Sequence, residues 1–156
     1  MEKWYKVAAY MADSLARSRG VDKIDLLTLN KVMYFAQRES YILNDKPLFE
    51  TDKFHAAQFG PVIIELKERL NNNRLSEMPS PEWINANNQL LDYVLGHYGT
   101  MSPGTLSTLS HCEISWRNAR DRARAKGEQK YEVIFDRDIK IDALKIRIRE
   151  EKLGLK

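Results

Sequence analysis

Trp4, Val7, Ala8, Met11 and Leu15 recur at the three- and four-residue intervals that lay apolar side chains along one stripe of a helix, and Gly20 ends that stripe. Asp25 or Thr28 then offers a side-chain oxygen to the free N–H groups of a second helix, which the pattern carries to about Leu43. Its middle, Leu29 to Ala36, is apolar on nearly every side except at Asn30 and Lys31, which predicts a central, buried helix. Between Asp45 and Phe59 the period changes. Pro47-Leu48-Phe49 and Phe54-His55-Ala56 flank the polar run Glu50-Thr51-Asp52-Lys53, predicting a short hairpin or extended arm around residues 47–59. Gly60-Pro61 reads as the start of a further helix with Ile63, Leu66 and Leu70 on its buried face, stopped by Asn71-Asn72-Asn73.

Ser80-Pro81 and Ser102-Pro103 are two more cap-plus-proline starts. The first leads Ile84, Asn87, Leu91, Val94 and Tyr98 at helical spacing to Gly99; the second carries Leu106 and Leu109. Ile114 to Lys126 predicts another helix ending at Gly127. Tyr131, Val133 and Phe135 alternate as in a short strand, and Asp136 or Asp138 is placed to cap a last helix with Ile141, Leu144 and Ile148 inward. These elements predict a mainly α fold, a compact bundle of about six or seven helices with one short hairpin, in a single domain over 1–156.

Composition narrows the class. Apolar residues make up 43% of the 156-residue chain and charged residues 30%, a globular balance with no apolar run near the length of a membrane span. The N-terminus lacks the apolar core of a secretory signal and Cys112 is the single cysteine, so a cytoplasmic protein without disulfides is expected. A net charge of +3 is too mild to identify a nucleic-acid binder. Locally the charge is concentrated: Arg117, Arg120, Arg122, Arg124 and Lys126 face the single acid Asp121 between Trp116 and Lys126.

Catalytic chemistry finds no foothold. His111 and Cys112 are neighbours whose side chains diverge on a helix, His55 and His97 lack ligand partners at zinc-helix spacing, and no phosphate loop, dinucleotide turn or nucleophile elbow is present. No enzyme, metal or cofactor is expected. The arginine-rich helix reads either as a solvated face or as a surface for an acidic protein or a phosphate backbone. Tyr34, Phe35 and Phe59 are expected in the core.

Three blocks, Leu29-Asn30-Lys31-Val32-Met33-Tyr34-Phe35-Ala36-Gln37, Lys46-Pro47-Leu48-Phe49 and Phe54-His55-Ala56-Ala57-Gln58-Phe59-Gly60-Pro61-Val62, resemble the signature of the Panacea domain, which includes SocA-like and phage-associated bacterial proteins. A fourth, Leu109 to Trp116, is similar to that family's later segment, and the resemblance spans about residues 4–125, leaving a C-terminal strand and helix over 131–156. The family often has tryptophan where this chain has Ala57, and proline where it has Ser115.

The resemblance implies an antitoxin of a toxin-antitoxin system, pairing with a cognate toxin from a neighbouring gene and neutralising it by direct binding. Delivery of the toxin to a protease is the family's other mode. Nucleic-acid regulation through the basic helix and the basic C-terminal segment, Lys140 to Lys156, is a further reading. No membrane partner is expected. The partner-binding residues expected from their position in the exposed arm and on the basic helix are Phe54, His55, Gln58, Trp116, Arg117 and Arg120.

Overall fold

In a computed structural model of the chain, residues 1–127 and 131–154 are described, and they form eight helices and one antiparallel hairpin. The helices are α1 (Trp4–Arg19), α2 (Leu26–Asn44), α3 (Leu66–Asn71), α4 (Pro81–Ala86), α5 (Asn88–His97), α6 (Pro103–His111), α7 (Ile114–Ala125) and α8 (Asp136–Lys152); the hairpin joins β1 (Phe54–Ala57) to β2 (Gly60–Ile63). Among the described residues no helix is long and apolar enough to cross a membrane. Helix α2 is the axle: α1, α3, α5, α6, α8 and β2 all pack on it, and every side chain from Thr28 to Ile42 is buried. Asp25 opens it by accepting a hydrogen bond from the Thr28 N–H.

The polar members of α2 are wired rather than exposed. Gln37 accepts from the Leu48 and Phe49 N–H groups and donates to the Phe49 carbonyl and Asp136. Asn30 accepts from the Ile63 N–H, and Lys31 donates to the Pro61 carbonyl. The first of the sequence blocks is thereby bonded to the second and third, so these residues hold the hairpin region onto the core.

Four sequence expectations are corrected. The hairpin lies over 54–63 rather than 47–59, and Gly60-Pro61 opens a strand, not a helix. The Ala56 N–H turns away from β2 to donate to the Glu132 carbonyl, so the Pro61 position opposite it needs no N–H for the ladder. The helix predicted from Pro81 to Gly99 breaks into α4 and α5 at Asn87, whose side chain donates to the Trp83 carbonyl and competes with the helical ladder. The stretch 131–135 is extended chain lying along β1, bonded through Ile134 N–H to the Phe54 carbonyl, and it is Ile134, not its neighbours, that is buried.

The fourth correction concerns α8, whose expected inner stripe faces out, Ile139, Ala143 and Ile146 packing on the core in its place. Ile141, Leu144 and Ile148 are exposed while Asp136, Asp138 and Asp142 face the core. Neither Asp136 nor Asp138 caps the helix; Phe135 occupies that position. Asp136 and Asp52 instead exchange backbone-to-carboxylate bonds, and Gln37 and Tyr41 also donate to Asp136. Asp142 accepts from the Ile114 and Ser115 N–H groups and so caps α7 from a neighbouring helix. Positions 155–156, the end of the predicted basic segment, lie outside the described residues.

Candidate partner-binding surface

Hairpin formation places the Gln58-Phe59 turn at the edge of the molecule, and α6 and α7 brace it from beneath. Ser107 donates to the Phe59 carbonyl, the Trp116 indole N–H to the Ala57 carbonyl at 2.9 Å, and Arg120 to the Ala56 carbonyl at 3.3 Å. The rings of His111 and Trp116 stack at 4.1 Å. The Lys31 side chain runs under Gly60, so closely that a Cβ there would meet its Cε at 2.6 Å and the Ser110 Oγ at 2.4 Å. Only glycine satisfies both that approach and the φ of 118°. Atop this frame Phe59 is 60% exposed, the most exposed aromatic side chain of the described residues.

The electrostatics around the turn are cationic. Burial lowers the Lys31 amine to about 8, yet it retains its charge at neutral pH, and among the described residues no carboxylate pairs with it. Burial, together with the charges of Lys31 and Arg120, presses the His111 imidazole below its usual range, so it is neutral at pH 7. Arg117 is exposed and donates to the His111 carbonyl. The surface therefore combines an apolar tip with a positive surround, a chemistry suited to an acidic protein patch.

The six expected binding residues divide. Gln58 lies exposed in the turn with Trp116 and Arg120 half-buried beneath it, whereas the exposed Arg117 is bonded to the His111 carbonyl and lines the cleft over Arg38. His55 is half-buried in β1, bridged to Val133. Phe54, expected in an exposed arm, is 1% exposed and packs on Tyr34 and Phe49, because alternation in β1 turns it to the core. Phe59, expected in the core, is the exposed one. The sequence signal that identifies it is its place in a two-residue turn ahead of Gly60, where side chains project outward.

The arginines of α7 are largely engaged within the chain. Arg122 donates to the Val133 carbonyl and lies 3.9 Å from Asp138, and Arg124 pairs with Asp121. A second concavity, a cleft of about 570 Å³, opens over Arg38, Glu39 and Glu113 beside Tyr98 and Arg117. There Arg38 donates to Glu39, Glu113 and the Tyr98 hydroxyl. Burial works against the Arg38 charge, but Glu113, Tyr98 and Glu39 hold its pKa above the usual value. Burial pushes the Glu113 carboxyl up, with Arg38 opposing. The two Arg38 amino groups are engaged by these partners while its Nε stays buried without one, and among the described residues no three of His, Cys, Asp and Glu converge as a metal ion requires.

Neither curated proteins nor solved structures gave a match to the chain. A family profile described as antitoxin SocA-like, Panacea domain, matches residues 29–117, more than half of the chain. That span takes in α2 from Leu29 on, the hairpin, α6 and the Ile114–Arg117 start of α7, so most of the wired core and the braced turn fall within it, Arg120 and Asp136 lying beyond. The chain belongs to the SocA-like, Panacea-domain antitoxin family.

Proposed function

We propose that this protein neutralises a cognate toxin by direct binding, with the hairpin turn as the contact surface. The observation that carries the reading is Phe59, a largely exposed aromatic on a turn fixed by bonds from Ser107, Trp116 and Arg120. An aromatic anchor in a preorganised frame loses little conformational freedom on binding, which is where interface affinity concentrates. Gln58 supplies a polar contact at its margin, and Arg117, one step away through its bond to the His111 carbonyl, a cationic one. Nucleic-acid binding through α7 is the weaker reading, since Arg122 and Arg124 are already paired within the chain. Steric blockade of the toxin needs no bond-making by this protein.

The test is growth rescue on induction of the toxin gene adjacent to this one, with toxin level followed by immunoblot. Phe59→Glu with Arg117→Glu is expected to abolish rescue and co-purification while leaving the melting temperature unchanged, because both side chains project from the surface. Toxin should persist in rescued cells. Full rescue by the folded double variant, or rescue accompanied by toxin loss, overturns direct neutralisation through this surface.

A further inference from the structure

The outer side of α8 carries a periodic pattern of its own. With Ile141 at position a of a seven-residue repeat, Leu144 falls at d and Ile148 at the next a, and they are 44%, 52% and 42% exposed. The e and g positions flanking that seam are Lys140, Lys145, Arg147 and Lys152, all cationic. Glu151 closes the seam at the following d position. None of the four flanking cations forms an ion pair among the described residues; Lys140 lies over the Tyr41 ring at 5.9 Å. A depression of about 180 Å³ beside Ile141 and Leu144, lined also by Tyr41, Ala143, Lys140, Arg147 and the one acid Asp45, offers room for an incoming apolar side chain.

We propose that this face docks an acidic amphipathic helix of a partner protein. Apolar residues of that helix pack on Ile141, Leu144 and Ile148, and its carboxylates meet Lys140, Lys145, Arg147 and Lys152. The width of the seam selects the occupant: one line of a and d residues fits a single helix, whereas a bilayer surface takes a broad apolar face, usually with aromatic residues. A second copy of this chain would set cations against cations across both flanks. Nucleic acid would use the cations and leave the apolar seam in water. The seam shares no residue with the hairpin turn and lies beyond the family-matched span, so it stands independently of the toxin-binding surface.

The full chain is titrated against a fluorescent ~21-residue synthetic helix with Leu and Ile at a and d and Glu at e and g, and against its twin with Lys at e and g. The Glu helix is expected to bind, more weakly as salt rises, and the Lys helix not to bind. Leu144→Ala should weaken binding about tenfold by shortening the seam, and Lys140→Glu with Lys145→Glu by at least as much. These side chains are exposed, so all variants should melt with the parent. Phe59→Glu should leave peptide binding unchanged. Equal binding of both helices, no binding of either, or association instead with anionic phosphatidylglycerol vesicles or duplex DNA overturns the proposal. So does self-association that Leu144→Ala removes.

Discussion

Helix α2 buries every side chain from Thr28 to Ile42, charged residues included, whereas α8, packed against it, turns aspartates inward and leaves three branched aliphatic side chains about half exposed. Both are explained by where backbone and side-chain polar groups find partners. In α2, Asn30, Gln37 and Arg38 are buried because the loops around them present N–H groups, carbonyls and carboxylates at hydrogen-bonding distance. In α8, Asp136 and Asp142 are buried because the 52 turn and the start of α7 offer unpaired N–H groups that nothing else satisfies. Two apolar stripes compete on α8, and the one that goes in, Ile139, Ala143 and Ile146, is the one that brings the aspartates to those orphan donors.

The sharpest way to break α2 is at Arg38. Its guanidinium links Glu39, Glu113 and Tyr98 at 7% exposure, so Arg38→Met leaves two carboxylates desolvated without their counter-charge. The loss expected in chemical denaturation is about 3–5 kcal/mol. Arg38→Met combined with Glu39→Gln and Glu113→Gln should recover part of it. A loss below about 1 kcal/mol for the single variant would mean that the network contributes packing alone.

Lys31 sharpens the comparison through pH. Burial lowers its amine from 10.5 in the unfolded chain to about 8 in the fold, so between those values the unfolded state binds more protons. Stability therefore rises with pH across that window: the burial penalty is fully present below pH 8 and relieved by about pH 10.5. Relative to Lys31→Met, in which other titrations cancel, the parent should gain about 3 kcal/mol between the two limits. A constant difference between parent and variant would show the amine to be hydrated.

Much of this fold was legible in the sequence. The stripe of α1, the buried character of α2, and the caps at Ser80 and Ser102 follow from local chemistry that the chain carries within a few residues. The hairpin register was not, because its determinants are distant: Lys31 and Ser110 demand glycine at 60, and Glu132 takes the Ala56 N–H. The same distance separates Phe54 from Phe59, whose exchange of core and surface depends on a strand boundary a few residues along. Of the proposed surface, Gln58, Trp116 and Arg120 were named from type and position and lie at the turn, while Phe59, which the turn exposes, was assigned to the core.

The smallest expected effect is the most discriminating for α8. Ile141, Leu144 and Ile148 have the spacing of a core stripe, and a core leucine exchanged for a charged residue would cost several kcal/mol. Their side chains instead lie outward on a helix whose inner arc is held by Asp136 and Asp142. Leu144→Lys should therefore change unfolding free energy by no more than about 0.5 kcal/mol, since lysine is as good a helix former and its aliphatic stem covers the part of the site that Leu144, 52% exposed, keeps from water. A loss above about 2 kcal/mol would place Leu144 in the core and restore the orientation implied by apolar spacing. Near-neutrality has a further consequence. Nothing in folding then demands an aliphatic side chain at that position, which leaves it free for the helix docking proposed for this face.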